Sequence, residues 1–327
     1  MALPFAVILS RHACGIALRS TLNSIAQKTS IDLMPTRASF HLSRIVIIES
    51  LDPGELKTGT TIAAWVRSLE QVHSVGLTIE YYECKNVVSF ENLVNALTLE
   101  VKSTGRIPLL HVECHGGAST GLEFTNGSQL PWPDLSHLLV ALNEATRFNL
   151  VSVFSACYGA HFLAQLDCVA PAPCYAMIAP TKDIWPDEAL AGFRKFYSTL
   201  FSSTDAGLAV EAMMRLNLVK GNWFVQRAEF WYEQVVVGYV ETHCTKSEVK
   251  RRALQMYRKL RSDGVSADLG KLRRELARVN RTNLIGKYFE RYFMANTVPE
   301  TLGRFSPVRR RIEQRLAALR KTGRYGI

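Results

Sequence analysis

The chain has 327 residues, of which 47% are hydrophobic and 21% are charged. These values are typical of one large folded domain, or of a domain with an appendage, and they exclude a collagen-like chain, wholesale disorder and a disulfide-rich miniprotein. The formal net charge of +10 is unevenly spread, because residues 1–240 hold 17 Lys and Arg against 21 Asp and Glu, whereas residues 241–327 hold 22 against 8. The basic character therefore belongs to the C-terminal segment.

The seven cysteines indicate a reducing compartment. Their number is odd and no Cys-x-x-Cys pair occurs, which argues against a disulfide framework and against a structural zinc site of the usual spacing. No apolar run approaches the ~20 residues that a membrane-spanning helix needs. We therefore expect a cytoplasmic protein without a transmembrane segment.

Residues 1–40 form a separate N-terminal extension in this interpretation. No acidic residue precedes Asp32, whereas Arg11, Arg19 and Lys28 are basic. An acid-poor, Arg-containing start is typical of a transit peptide. Two other interpretations stay open: an extension that packs on the following domain, and a start codon placed too early.

Residues 41–240 are predicted to alternate between strands and helices. The predicted strands cover residues 44–49, 76–82, 107–112, 150–154 and 174–179. The predicted helices cover residues 60–69, 89–101, 134–145, 158–166, 186–200 and 205–216. Asn126-Gly127 predicts a hairpin within residues 121–130. This alternation predicts an α/β fold with a mostly parallel sheet and helices on both faces, and such sheets carry their sites at the carboxyl ends of the strands.

Two chemically capable side chains follow successive predicted strands: His115 after the third and Cys157 after the fourth. A cysteine nucleophile needs a nearby base or a lowered pKa, because the thiolate is the attacking species. Cys157 is expected to precede a helix, whose dipole would favour the thiolate, and Gly159 leaves room for a substrate. Either residue alone is more often a buried thiol or a hydrogen-bonded loop histidine, so it is their joint placement that favours chemistry.

Three segments in this order resemble the caspase-like cysteine peptidases of clan CD. They are LLHVECHGG (109–117), GLEFTNGSQL (121–130) and VSVFSACYG (151–159). The separation of 42 residues between His115 and Cys157, and the later segment IWPDEALAGFRKFYSTLF (184–201), are most similar to the prokaryotic CHAT branch of that family. The similarity spans residues 43–216, about half of the chain. The resemblance implies a caspase-like fold for residues 41–240.

The resemblance also implies roles for single residues. Cys157 would be the nucleophile and His115 the base, and the backbone N–H groups of Gly116 and Cys157 would form the oxyanion hole. Ser155 and Glu113 would line the substrate pocket. The reaction would be hydrolysis of a protein substrate through a thioester, with no metal or cofactor, under the control of an activating partner and in a defence or cell-death setting. Family members that prefer basic residues carry Asp two positions before the Cys, where this chain has Ser155, so that specificity is in doubt.

Three alternatives stay open. A caspase-like fold can serve as a non-catalytic scaffold or regulator. Residues 155–159 also fit the small-x-nucleophile-x-Gly elbow of an α/β-hydrolase, whose base would be His161 or His243. A zinc site is the least favoured alternative, because one strand face supplies only three ligands, namely His111, Glu113 and His115.

The segment 241–327 is predicted to be a basic helical region with amphipathic helices at 247–260, 269–279 and 307–319. Its basic clusters are at residues 250–252, 273–274 and 309–311. They indicate either an anionic partner, such as nucleic acid, an acidic protein or a membrane surface, or a solvated face of helices that pack on the acidic body. The second interpretation is favoured, since no recognisable nucleic-acid-binding motif occurs.

Overall fold

The computed structural model describes residues 41–165, 170–219 and 221–327. The expectations for residues 1–40 lie outside this part of the chain. The described residues form two compact units: the first contains 41–165 and 172–228, and the second contains 170–171 and 229–327. The boundary expected near residue 240 lies inside a helix, Ala228–His243.

A mixed, mostly parallel sheet forms the centre of the first unit. Its central strands are β1 (Arg44–Ser50), β2 (Thr78–Glu83), β3 (Pro108–Gly117), β6 (Val151–Ser155), β7 (Ala176–Pro180) and β8 (Trp223–Arg227). Their spatial order is β2-β1-β3-β6-β7-β8, and only β8 runs antiparallel to its neighbour. A small antiparallel hairpin pairs with the end of β3 and consists of β4 (Gly121–Glu123) and β5 (Gln129–Leu130). The predicted α/β class and the predicted hairpin are therefore confirmed.

Helices cover both faces of this sheet. They are α1 (Thr58–His73), α2 (Val87–Thr104), α3 (Trp132–Ala145), α4 (Pro186–Ser203) and α5 (Ala206–Met214). The crossover from β1 to β2 runs in one direction across the sheet, and the crossovers from β2 to β3 and from β3 to β6 run in the other direction. Because such connections are right-handed, α1 lies on one face of the sheet, and α2 and α3 lie on the other. Helix α4 packs against α1, and α2 packs against α3.

Local sequence explains where several of these helices begin. The side chain of Asn86 accepts a hydrogen bond from the Ser89 N–H, and Ser89 returns the bond to complete a capping box at the start of α2. Asp205 caps α5 by accepting from the N–H groups of Gly207 and Leu208.

Three elements differ from the sequence prediction. Strand β3 extends through Gly117, because residues 115–117 pair with β4, so His115 lies within the strand. The segment expected to be an α-helix at 158–166 is a short 3-10 helix, Gly159–Gln165. Strand β8 was not predicted, since its five residues carry no clear alternation.

The second unit is helical. Its helices are α6 (Ala228–His243, which starts one residue before the unit), α7 (Lys246–Ser262), α8 (Leu269–Ile285), α9 (Lys287–Tyr292), α10 (Glu300–Arg304) and α11 (Ser306–Lys321). Helices α7, α8 and α11 correspond to the three amphipathic helices predicted there. Val249, Ala253 and Leu276 form a small buried core between α7 and α8. Across the described residues of the chain, no helix is both long and apolar enough to cross a membrane.

Candidate active site

Strands β3 and β6 place His115 and Cys157 at the same end of the sheet. The two strands are parallel neighbours, and their last paired residues are Glu113 and Ser155. His115 lies two residues further on, within β3, and Cys157 lies two residues further on, in the turn after β6. The carboxyl ends of two central strands therefore carry an imidazole and a thiol.

Gly116 brings these two strand ends into contact. A Cβ atom at this position would lie 2.5 Å from the carbonyl oxygen of Cys157 and 3.1 Å from the Cβ atom of Ala156. Any larger residue would have to displace the Cys157 backbone. Glycine is therefore required here by packing, whether or not its N–H binds an oxyanion.

The chain turns sharply directly after Cys157. Tyr158 adopts a φ of 60°, in the left-handed region that non-glycine residues seldom occupy. Its N–H donates to the Lys182 carbonyl at 3.1 Å, and the Gly159 N–H donates to the Ala156 carbonyl at 3.0 Å. A strained residue next to a candidate nucleophile is a common feature of functional sites.

The surroundings of Cys157 raise the pKa of its thiol. It is half-buried, and this burial is the largest of the effects that raise its pKa. The Asp183 carboxylate raises the pKa further through its negative charge and by accepting a hydrogen bond from the thiol, while the backbone N–H of Ile184 opposes it. The expectation that a helix dipole would favour the thiolate is therefore wrong, because the following helix is a single short 3-10 segment.

His115 is half exposed and pairs with a residue that the sequence did not single out. Its Nε2 atom lies 2.9 Å from Oε1 and 3.1 Å from Oε2 of Glu55, in the loop between β1 and α1. Glu55 also accepts the N–H of Asp52 at 2.7 Å. Burial acts to raise the pKa of Glu55, but the Asp52 N–H and His115 outweigh it, so that the pKa lies below its ordinary value and the carboxyl is anionic.

The position of Glu55 follows from sheet topology. The chain runs from β1 to β2 on one side of β1, and then crosses to β3 on the other side of β1. Ligand crevices of α/β sheets form at such a switch point. No pattern in residues 51–57 predicts a partner for His115, because only the strand order brings this loop beside β3.

Within the described residues, the His115 and Cys157 side chains share no hydrogen bond. The imidazole is turned to Glu55 and the thiol is turned to Asp183. Catalytic hydrogen bonds are often long or misaligned before a substrate binds, so this arrangement does not exclude a dyad. Both side chains would have to turn in order to contact each other.

Glu113 and His111 lie deeper along the same strand face and form a buried network. His111 Nε2 is 2.8 Å from a Glu113 oxygen, and His111 Nδ1 is 2.7 Å from the Tyr197 hydroxyl. Thr58 donates to the second Glu113 oxygen at 2.7 Å. The Glu113 carboxylate thus faces the protein interior and does not line a pocket that a substrate could enter; Ser155, next to it on β6, is also buried.

Glu49, on β1, holds the start of α1 through hydrogen bonds. Its carboxylate accepts the N–H groups of Gly59 at 2.7 Å and Thr60 at 3.3 Å, and the Tyr81 hydroxyl at 2.7 Å. A carboxylate at a helix N-terminus satisfies free N–H groups and the helix dipole together. Two buried acids, Glu49 and Glu113, therefore hold the helix that follows the Glu55 loop.

The residues of the alternative sites lie elsewhere. His161 donates to the Ala118 carbonyl and packs edge-on against Tyr158, and burial lowers its pKa. His243 belongs to the second compact unit. Among the described residues, no group of three or more His, Cys, Asp or Glu is arranged to hold a metal ion.

Cys157 differs from the other described cysteines in its exposure. Cys84, Cys114, Cys174 and Cys244 are buried, and burial raises the pKa of Cys174 and of Cys244 to about 12. Cys14 and Cys168 lie outside the described residues. Selective alkylation of Cys157 would therefore follow from exposure alone, and a test of catalysis has to measure more than selectivity.

No protein-family model matches the chain, and no curated protein matches it either.

Proposed function

We propose that the chain is a caspase-like cysteine endopeptidase in which Cys157 is the nucleophile and His115 is the base. The observation that carries the proposal is that these residues lie at the carboxyl ends of neighbouring parallel strands, where the Gly116 backbone lies against the Cys157 carbonyl. The α/β fold and the three motifs that resemble clan CD peptidases are compatible with it.

The His115–Glu55 pair supports a role for His115 as a base. When Nε2–H donates to the Glu55 carboxylate, Nδ1 of the neutral ring is the nitrogen that can accept a proton. Glu55 then stabilises the imidazolium that forms when His115 takes the Cys157 proton. Glu55 is a positioning residue in this proposal, since it acts through His115.

The proposed reaction is acyl transfer to water. The Cys157 thiolate attacks the carbonyl carbon of a peptide bond, and the resulting oxyanion accepts hydrogen bonds from the N–H groups of Gly116 and Cys157. His115 then gives its proton to the leaving amine, so that the C–N bond breaks and a thioester remains. A water molecule, deprotonated by His115, hydrolyses the thioester and releases the thiol.

The arrangement around Cys157 supports a regulated enzyme. The Cys157 thiol is hydrogen-bonded to Asp183, and its pKa is raised, so that few thiolates form at neutral pH. Substrate or an activating protein would have to move the loop that carries Asp183 and Ile184. A protein substrate and a protein activator are the partners in this proposal.

Peptide cleavage tests the proposal directly. The full chain is incubated with a proteome-derived peptide library, and new termini are identified by mass spectrometry in the wild type, Cys157→Ala, His115→Ala and the control His161→Ala. We expect a common P1 class in the wild type and in the control, and no cleavage in the other two variants. Equal cleavage by wild type and Cys157→Ala contradicts the proposal, as does a folded wild type that cleaves nothing and whose Cys157 reacts with no peptide electrophile.

A non-catalytic scaffold is the second candidate. It is favoured by the raised pKa of the Cys157 thiol and by the separate hydrogen-bond partners of the two dyad side chains. A scaffold would bind its partner equally well in the wild type, Cys157→Ala and His115→Ala. An enzyme would form a covalent acyl complex in the wild type and lose it in both variants.

A further inference from the structure

The second compact unit contains a cleft of its own. It has a volume of about 310 Å³ and lies where α7 and α8 begin, next to residues 324–327. Its lining residues are Lys246, Val249, Gly270, Arg273, Arg274, Ala277 and Gly326. Every charged side chain of this lining is a cation.

Backbone hydrogen bonds fix the walls of the cleft. The Lys246 N–H donates to the Arg324 carbonyl at 3.0 Å, and the Gly326 N–H donates to the Cys244 carbonyl at 2.7 Å. Val249 forms the floor, since it packs on Ala253 and Leu276 in the core between the two helices. The cleft is therefore a preformed feature, which reduces the entropy lost when a ligand binds.

The three cations of the cleft form no direct ion pair within the described part of the chain. Some other arginines of the unit pair along their helices, as Arg251 does with Glu248 at 2.6 Å and Arg278 with Glu275 at 2.8 Å. Lys246, Arg273 and Arg274 make no ion pair with any described residue.

The Arg274 guanidinium reaches back over the first turn of α8, where a Cβ atom on Gly270 would lie 3.5 Å from its Nη1. Asp268, the N-cap residue of α8, accepts the Lys271 N–H, and its Oδ1 atom would lie 3.3 Å from the same Cβ atom.

We propose that this cleft binds a small polyphosphate group, either free pyrophosphate or the di- or triphosphate of a nucleotide. Three cations balance a diphosphate, whose two phosphate groups together carry roughly −3 at neutral pH. The two guanidinium groups can each hold phosphate oxygens through paired hydrogen bonds. The volume lies at the lower end of small-ligand pockets, roughly 300–1,000 Å³, and Val249 and Ala277 offer an apolar surface beside the charges.

Calorimetric titration of the full chain tests the proposal and separates its two sources. The ligands are pyrophosphate, ATP, AMP and sulfate. We expect pyrophosphate and ATP to bind at least about tenfold more tightly than AMP and sulfate, a difference of about 1.4 kcal/mol. Tighter binding of ATP than of pyrophosphate identifies a nucleotide, and equal binding identifies the phosphates alone.

Two matched double variants locate the site. Arg273→Gln with Arg274→Gln removes the two cleft arginines, and Arg258→Gln with Arg261→Gln removes the same charge from exposed positions of α7 outside the cleft lining. We expect at least about tenfold weaker pyrophosphate binding in the first and less than about twofold in the second. Circular dichroism melting shows that both fold. Equal weakening in both, sulfate binding as tight as pyrophosphate, or binding of single-stranded RNA alone overturns the proposal.

Discussion

Two histidines on the same face of β3, His111 and His115, each pair with a glutamate, but one pair is buried and the other is partly exposed. In the inner pair, the His111 and Glu113 side chains are 0% and 3% exposed. In the outer pair, the His115 and Glu55 side chains are 50% and 37% exposed. The same face of β3 thus places one histidine, His111, in the core and another, His115, at the partly exposed end of the sheet.

The depth of each pair decides what it can do. Both nitrogens of His111 and both oxygens of Glu113 have partners, so this pair can neither give a proton to a substrate nor bind one. The outer pair uses only Nε2 of His115 and faces solvent. The inner pair contributes to stability and the outer pair is available for chemistry.

Removing the inner acid is expected to destabilise the fold strongly. Glu113→Ala leaves His111 Nε2 and the Thr58 hydroxyl buried without partners, which should lower the free energy of unfolding by about 3–5 kcal/mol. Glu55→Ala, the matched control at the outer pair, should cost less than about 1 kcal/mol. Urea unfolding measures both, and equal losses would remove the distinction between the pairs.

Crowding the contact between the strand ends should disable the site. The added methyl group of Gly116→Ala would lie 2.5 Å from the Cys157 carbonyl oxygen, so we expect a loss of about 1–3 kcal/mol in unfolding free energy. The displaced backbone should also reduce acylation of Cys157 by peptide electrophiles by more than about tenfold, since small misplacements cost large factors in rate. Gly54→Ala is the control, because its added Cβ atom would meet open space. Unchanged acylation in Gly116→Ala contradicts the assignment.

Neutralising the outer acid should slow the chemistry without unfolding the protein. Glu55→Gln keeps the size of the side chain but removes the charge that stabilises a protonated His115. We expect kcat/KM, or the acylation rate of Cys157, to fall by about 10- to 100-fold, as for other groups that assist proton transfer. Thermal melting should change little. A rate equal to that of the wild type would leave Glu55 as a surface ion pair only.

Removing the acid beside the thiol should make Cys157 more reactive. Asp183→Asn takes away a negative charge and a charged acceptor for the thiol proton, both of which raise the pKa of Cys157. The midpoint of the pH profile for iodoacetamide alkylation should therefore move to lower pH, and the rate at neutral pH should rise several-fold, in proportion to the thiolate fraction. Asp187→Asn, in the first turn of α4, is the control and should not move the midpoint. A shift to higher pH contradicts the role given to Asp183.

Much of the fold was predictable from sequence, because its signals are local. β-Branched and apolar runs identified the parallel strands, and Asn126-Gly127 identified the hairpin. The same signals predicted that His115 and Cys157 lie near the carboxyl ends of two strands, although β3 extends past His115 to Gly117. What each residue does in chemistry stays a prediction, since nothing in the fold alone tests it.

The surroundings of the site were not predictable, because they depend on residues far apart in the chain. Glu55 reaches His115 only through the order of β1 and β3, and Asp183 reaches Cys157 only through the loop after β7. Glu113 was predicted to line a pocket, but it is buried and accepts a hydrogen bond from Thr58, so its role is structural. The alternation of residues along a strand predicts the face of the sheet on which a side chain lies, but it does not predict how deeply that side chain is buried.

The proposed Cys157–His115 dyad is tested by the rate at which Cys157 reacts with peptide electrophiles that carry Asp, Arg, Lys or Leu at P1. Intact-mass and peptide-map analysis follow the reaction in wild type, His115→Ala and the control His161→Ala. We predict that one P1 class reacts fastest at Cys157, that His161→Ala keeps this rate, and that His115→Ala loses it by at least about 100-fold. Equal rates for all probes, or an unchanged rate in His115→Ala, would contradict the dyad and leave Cys157 as an exposed thiol.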